Sequence, residues 1–301
     1  MGKASRRRKS GANADQSSRS DRTKVEPAPF VARPFEGLPG ETDWVAMREI
    51  LPAATATVRF AKGQAPQGAP TEATIATVLP LAWPGLHRAD GTVFIGTQSG
   101  SASGDASRDL ATSLLAAAGA EAGTPVTTVP QATAETPRLQ DLLDSSDDFE
   151  VTVHEGFDFW VGDSELDAEG QASLERANES IVPTTKMAAL PSAYWVRIGE
   201  RTHIRLVLSE DEDLATDALA RLHAASESGL GEGTRLLGAF RACGLLVPVW
   251  DLDPEKEAAD YEDALAAFGT RYAAAVASSD PLTPEERRAR SGLLSRQVTL
   301  R

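Results

Sequence analysis

A single cysteine, Cys243, among 301 residues leaves this chain without an internal disulfide and without a multi-cysteine zinc site. Histidine is nearly as scarce, with four residues, His87, His154, His203 and His223. His154-Glu155 lacks the second histidine that a zinc-protease helix needs. No apolar run approaches the roughly 20 residues of a membrane span. No apolar stretch follows the basic residues near the N-terminus, so a secretory signal is not expected and the sequence reads as cytoplasmic. Basic residues are also in deficit: 30 Lys and Arg stand against 44 Asp and Glu, a formal net charge of −14. Such a body repels nucleic acid and anionic membrane.

The basic residues that are present cluster. Residues 1–24 hold eight of them against two acids, and Lys3, Arg6, Arg7, Arg8 and Lys9 form the densest group. Any contact with a polyanion therefore has to come through that tail, a weak nucleic-acid contact at most. Residues 1–32 carry few core-forming side chains, which predicts a disordered tail.

The folded part reads as α+β. A helix over "ETDWVAMREIL" carries Trp44, Met47, Ile50 and Leu51 on one stripe and stops at Pro52. A second, near 167–182, carries Leu174, Ala177 and Ile181 and stops at Pro183. Three strand-like runs follow each: 55–61, 73–83 and 92–98, then 184–190, 193–198 and 202–208. A helix bearing the tetrapeptide "DLAT" comes next in each case, at 109–112 and again at 213–216. Each unit then has an expected hairpin, 149–161 turning near Glu155-Gly156 and 235–250 turning near Cys243-Gly244, followed by a helix.

The order α-β-β-β-α-β-β-α thus occurs twice, and predicts two tandem pseudo-repeated units with mainly antiparallel sheets. The expected limits are a tail over 1–32, a first unit over 33–166, a second over 167–279 and a helical or extended C-terminal tail over 280–301.

Several segments carry a family resemblance: "RPFEGLPGETDWVAMREILPAATA", "TVLPLAWPGLHRADG", "PRLQDLLD", "GLGEGTRLLGAFRACGLLVPVWDL" and "PLTPEERRARSGLLSRQVTLR". They resemble an actinobacterial family of unassigned activity, over about 33–301. Some relatives look as if they bear an N-terminal SEC-C-like zinc motif. This chain has no Cys or His in its first 86 residues, so the resemblance implies no zinc site here. The unit order is also similar to that of type III secretion chaperones and related small bacterial proteins, which implies protein binding rather than catalysis.

No catalytic, cofactor or metal set converges in the sequence. "GLGEGTR" lacks the Lys-Ser/Thr of a phosphate loop and reads as a helix stop and turn. "GSASGD" and "SEDED" read as helix caps. Cys243, ahead of Gly244, reads as a structural thiol.

Four residues read as candidates for a partner surface. Alternation on "FDFWV" sets Phe157, Phe159 and Val161 against Asp158 and Trp160, placing Trp160 on the open face of a sheet or against the other unit. In the second unit, alternation groups Tyr194, Val196 and Ile198 with Ile204, Leu206 and Leu208 as an apolar face. Trp195, Arg197 and Arg205 then make a mixed face, suited to the first unit or to an acidic-hydrophobic peptide of another protein. The expected function is a non-enzymatic, chaperone-like protein-binding adaptor. The alternatives are a nucleic-acid- or ribosome-associated factor tethered by its tail, and an enzyme with a dispersed site.

Overall fold

The computed structural model describes residues 25–100, 103–162 and 166–295. These residues form seven α-helices and two mostly antiparallel sheets, an α+β fold. Helix α1 (Glu41–Glu49) opens at Gly40, in the left-handed region, and carries Glu41 and Asp43 where the positive end of its dipole favours acids. It ends three residues before Pro52, as the missing amide hydrogen requires.

The first sheet contains β1 (Ala54–Arg59), β2 (Glu72–Ala76), β3 (Gly85–His87), β4 (Val93–Gly96), β5 (Thr124–Val126) and β6 (Thr152–Val153), in the order β5-β3-β4-β2-β1-β6. Helices α2 (Ala106–Gly119), α3 (Leu139–Leu142) and α4 (Ala168–Asn178) belong to the same half of the chain. The second sheet contains β7 (Thr184–Lys186), β8 (Ala193–Ile198), β9 (Arg201–Leu206), β10 (Arg235–Ala242) and β11 (Leu245–Asp251), in the order β10-β11-β9-β8-β7. Helices α5 (Glu212–Ala224), α6 (Glu262–Val276) and α7 (Pro284–Ser295) accompany it.

Helix α1 is buried on every side over its central turn. Trp44, Val45, Ala46 and Met47 are each at most 1% exposed. An amphipathic helix on one sheet would leave one of these four in water, since they span more than a turn. Here sheet one supplies Ala54, Ile75 and Ile95, helix α2 supplies Leu110 and Leu114, and sheet two supplies Tyr194, Val196 and Val247, all in one continuous core. Trp44 stacks on Phe149 at 4.2 Å. The opposite face of sheet two carries Trp195, Ile204, Leu206 and Trp250, and packs with Leu219, Phe268 and Leu293 of α5, α6 and α7. Arg290 of α7 bridges Asp217 and Asp213 of α5, both at 2.6 Å.

Both "DLAT" segments lie on helices, α2 and α5, and the hairpin β10–β11 turns at Cys243-Gly244 as expected. The two halves differ between those points. The connection "PLAWPGLHRADG" contains the unexpected strand β3, which pairs antiparallel with β4. This extra reversal makes β4 parallel to β2, whereas β8 and β9 are antiparallel. The expected strand over 73–83 accordingly ends at Ala76. Residue Thr124 to Val126, read as part of no element, forms the edge strand β5 against β3.

The expected hairpin over 149–161 does not form. Thr152–Val153 pairs with β1, and Asp158–Trp160 then winds into a 3₁₀ turn. In that turn residues three apart eclipse, which stacks Phe157 on Trp160 at 4.3 Å, a contact that strand alternation forbids. Residues 25–32, expected to belong to a disordered tail, are held by backbone bonds from Ala28 to Ala132 and from Val31 to Gly104, each 2.9 Å. A third backbone bond runs from Gly104 to Ala28 at 3.1 Å and Ala28 is buried, so one small side chain and three backbone bonds do what the low apolar content did not suggest.

Candidate functional site

The outer face of sheet one, away from α1, carries a row of cross-strand neighbours: Leu86 of β3, Phe94 of β4, Thr74 of β2 and Thr57 of β1. Its apolar half is covered by Leu79, Trp83, Phe159 and Trp160. The Trp160 indole donates to the Val78 carbonyl at 2.9 Å. Its one polar atom is therefore satisfied inside the protein, and what it offers outward is ring surface. Phe157 donates its backbone N–H to the Asn178 side chain at 2.8 Å, tying this aromatic turn to the end of α4.

Arg88 crosses the same face. Its guanidinium lies 5.1 Å from the centre of the Phe94 ring, donates to the Phe159 carbonyl at 3.3 Å and approaches Asp90 at 3.6 Å. Gly162, at φ +59, makes room for it: a Cβ there would fall 1.3 Å from the arginine Nη2. Any other residue at 162 would both strain the backbone and displace Arg88.

Helix α4 stands beside this platform without a single buried residue. Between the two lies a half-open cleft of about 640 Å³, lined chiefly by Pro80, Leu86, Arg88, Trp160, Leu166 and Leu174. A shallower depression of about 280 Å³ shares Leu166 and Leu174 with it and extends toward Asp158. The lining contains no histidine or cysteine, and its one acid, Asp90, already faces Arg88. Bordering the cleft, Leu81 is 86% exposed and both Leu81 and Ala82 take positive φ, 54° and 55°. Side chains rarely accept that conformation, and here it turns a large apolar group into solvent.

Trp160 is thus a cleft residue, although on a 3₁₀ turn rather than a strand. The other three candidates do not assemble. Strand register pairs Trp195 with Ile204 and Tyr194 with Arg205, so Trp195 and Arg205 project from opposite faces of sheet two. Alternation within each strand was legible, but the register between β8 and β9 was not, and a one-residue offset exchanges the faces. Trp195 is 4% exposed beneath the helices and Arg205 is 8% exposed on the side facing the first half. Arg197 stacks at 5.0 Å on the Trp195 ring and pairs with Glu257 at 2.9 Å. No mixed partner face exists in sheet two as expected.

Lys3, Arg6, Arg7, Arg8 and Lys9 lie outside the described residues. Among the described residues no cluster of three His, Cys, Asp or Glu side chains is placed to hold a metal ion, and no helix is long and apolar enough to cross a membrane. Asp105 and Asp211 cap their helices, accepting from the Ser107 and Asp213 amides at 3.0 Å each. Leu86, Arg88 and Leu174 were missed as a group because they are brought together by β3 and by the 3₁₀ turn, neither of which has a sequence period long enough to read.

The sequence model of a family described as "Family of unknown function (DUF5926)" matches residues 34–301. No curated protein and no solved structure matches the chain.

Proposed function

The chain belongs to this family of unknown function, and from the cleft beside Trp160 we propose that it is a non-enzymatic, chaperone-like binding protein that takes an amphipathic segment of a partner protein. The observation that carries the reading is the cleft itself: about 640 Å³ of half-open space with an apolar floor, an indole whose N–H is already engaged, and a helical wall that buries nothing of its own. Bulky apolar side chains of a partner would gain the burial that Leu86, Trp160 and Leu174 lack. Aromatic and arginine residues, here Trp160 and Arg88, are the types that concentrate affinity at such surfaces. The paired Arg88 and Asp90, the two titratable groups in the lining, would supply orientation to a bound segment.

The test is a panel of amphipathic 15-residue peptides, of roughly four helical turns, presented to the intact protein. Binders should share bulky apolar residues on one face. Leu86→Asp and Leu174→Asp should each weaken them at least about tenfold with the fold retained, because each buries a charge at the contact. Binders indifferent to both substitutions, or a cleft that accepts small apolar molecules and no peptide, would overturn the reading.

A further inference from the structure

Arg205 is the most anomalous charge in the molecule. It is 92% buried, being 8% exposed, and its Nε is sealed from solvent with no hydrogen-bond partner. Neither an ion pair nor a ring contact engages its guanidinium among the described residues. The acids on its side of sheet two are committed elsewhere. Asp43 accepts from Tyr194 at 2.8 Å and from Ser192 at 2.6 Å, and Asp251 lies 3.7 Å from both His203 and Arg235. Burial alone lowers the arginine pKa, with nothing opposing it. A hydrophobic side chain of similar volume would stabilise this position, so an unpaired arginine here needs a reason other than folding.

Its setting supplies one. Arg201, His203 and Arg205 alternate along β9 and share one face, passing from exposed through half-buried to buried. His203 Nδ1 is also sealed and without a hydrogen bond, with Asp251 as its neighbour at 3.7 Å. The stripe thus runs from a solvent-exposed arginine to the buried one. Counting Arg235, three arginines stand there with two carboxylates, Asp251 and Asp43, both already engaged, within a chain of net charge −14. A desolvated, unpaired guanidinium beside further arginines is what a small anion requires.

We infer that Arg205, with His203 beside it on β9, forms a binding site for a small oxyanion, a carboxylate or a phosphate group. The planar guanidinium suits either group, since it presents parallel N–H donors to two oxygens. The site faces sheet one and α1, on the opposite side of the molecule's core from the Trp160 cleft, and does not depend on that cleft's role.

The experiment uses the full chain and two probes, inorganic phosphate and acetate, at about 10 mM against chloride of equal ionic strength. Thermal unfolding should shift upward by a few degrees with at least one probe, and which probe does so separates a phosphate from a carboxylate source. Arg205→Met should abolish the shift while itself unfolding at or above the wild-type temperature in chloride, the signature of a charge retained for a ligand. Arg59→Ala, on the exposed face of β1, should respond as the wild type. Should Arg205→Met fail to fold, Arg205→Lys keeps the charge but loses the fork, and should weaken binding at least about tenfold by calorimetry. The inference is overturned if neither probe exceeds chloride, if Arg205→Met responds as the wild type does, or if Arg205→Lys binds as tightly as arginine.

Discussion

Cys243 illustrates how far single residues depend on their surroundings. It occupies φ +46 beside Gly244 at φ +82, in the two-residue turn between β10 and β11. Burial, reinforced by Glu49 with Oε1 3.8 Å from the sulfur, pushes its thiol up to about 12. At neutral pH roughly one thiol in 10⁵ is then ionised, so the folded protein should react with iodoacetamide far more slowly than the urea-unfolded chain does. Labelling at the same rate in both states would contradict the raised thiol of this half-buried residue. The same backbone favours asparagine, and Cys243→Asn should raise stability by about 0.5–1 kcal/mol in urea titrations. His154 and His203 supply a pH prediction. Burial holds both below the usual histidine range, and His154 is also bonded to Thr55 at 2.7 Å. The folded state therefore takes up fewer protons than the unfolded chain. The stability this contributes is complete above a pH of about 6.5, and is lost as pH falls through the lower folded values. Urea midpoints should drop between pH 7.5 and 5.5, and less so in His154→Gln. A midpoint that is flat or rising over that window refutes the assignment.

At the scale of elements, α1 and α4 are opposites made from similar sequence patterns. Both have an apolar stripe and a proline stop, yet α1 buries Trp44, Val45, Ala46 and Met47 while α4 buries none. Amide exchange should be fastest in α4 and slowest in α1 among the helices. Leu174→Ala should cost less than about 1 kcal/mol, whereas Trp44→Ala, which empties a stack between Phe35 and Phe149, should cost about 3–5 kcal/mol. A partner segment seated in the cleft should slow exchange in α4 before it changes anything in α1. Equal protection of both helices in the free protein would remove the loose wall on which the proposed function rests.

At the scale of the whole molecule, sheet two is buried on both faces. Tyr194, Val196 and Val247 pack with the first half, and Trp195, Ile204 and Trp250 with the helices of the second. Separating the chain near residue 167 would expose the first of these faces. The fragment 167–295 should therefore lack dispersed amide signals or associate, while the intact protein unfolds in one cooperative step by both fluorescence and far-UV circular dichroism. A monomeric, well-dispersed fragment would show that the shared core contributes little. Charge acts at this scale as well. The tail over 1–24 and the acidic body are opposite in sign, and the proposed oxyanion site sets arginines together within the acidic part.

What the sequence determined by itself was local: helices with a proline stop and a single apolar stripe, the hairpin at Cys243-Gly244, the α+β class, and alternation within each strand. Each depends on residues a few positions apart, where propensity and periodicity act directly. Tertiary structure alone decided the rest. The register of β8 against β9 sent Trp195 and Arg205 to opposite faces. The short strand β3 turned β4 parallel to β2. The stacking of Phe157 on Trp160 replaced a hairpin with a 3₁₀ turn and so created the cleft wall. These contacts are short-range in the chain, but each is fixed by what it buries against: the first half and the helices on the two faces of sheet two, and Val78, Leu79 and Phe94 beneath the aromatic turn, burial that no single segment can achieve alone.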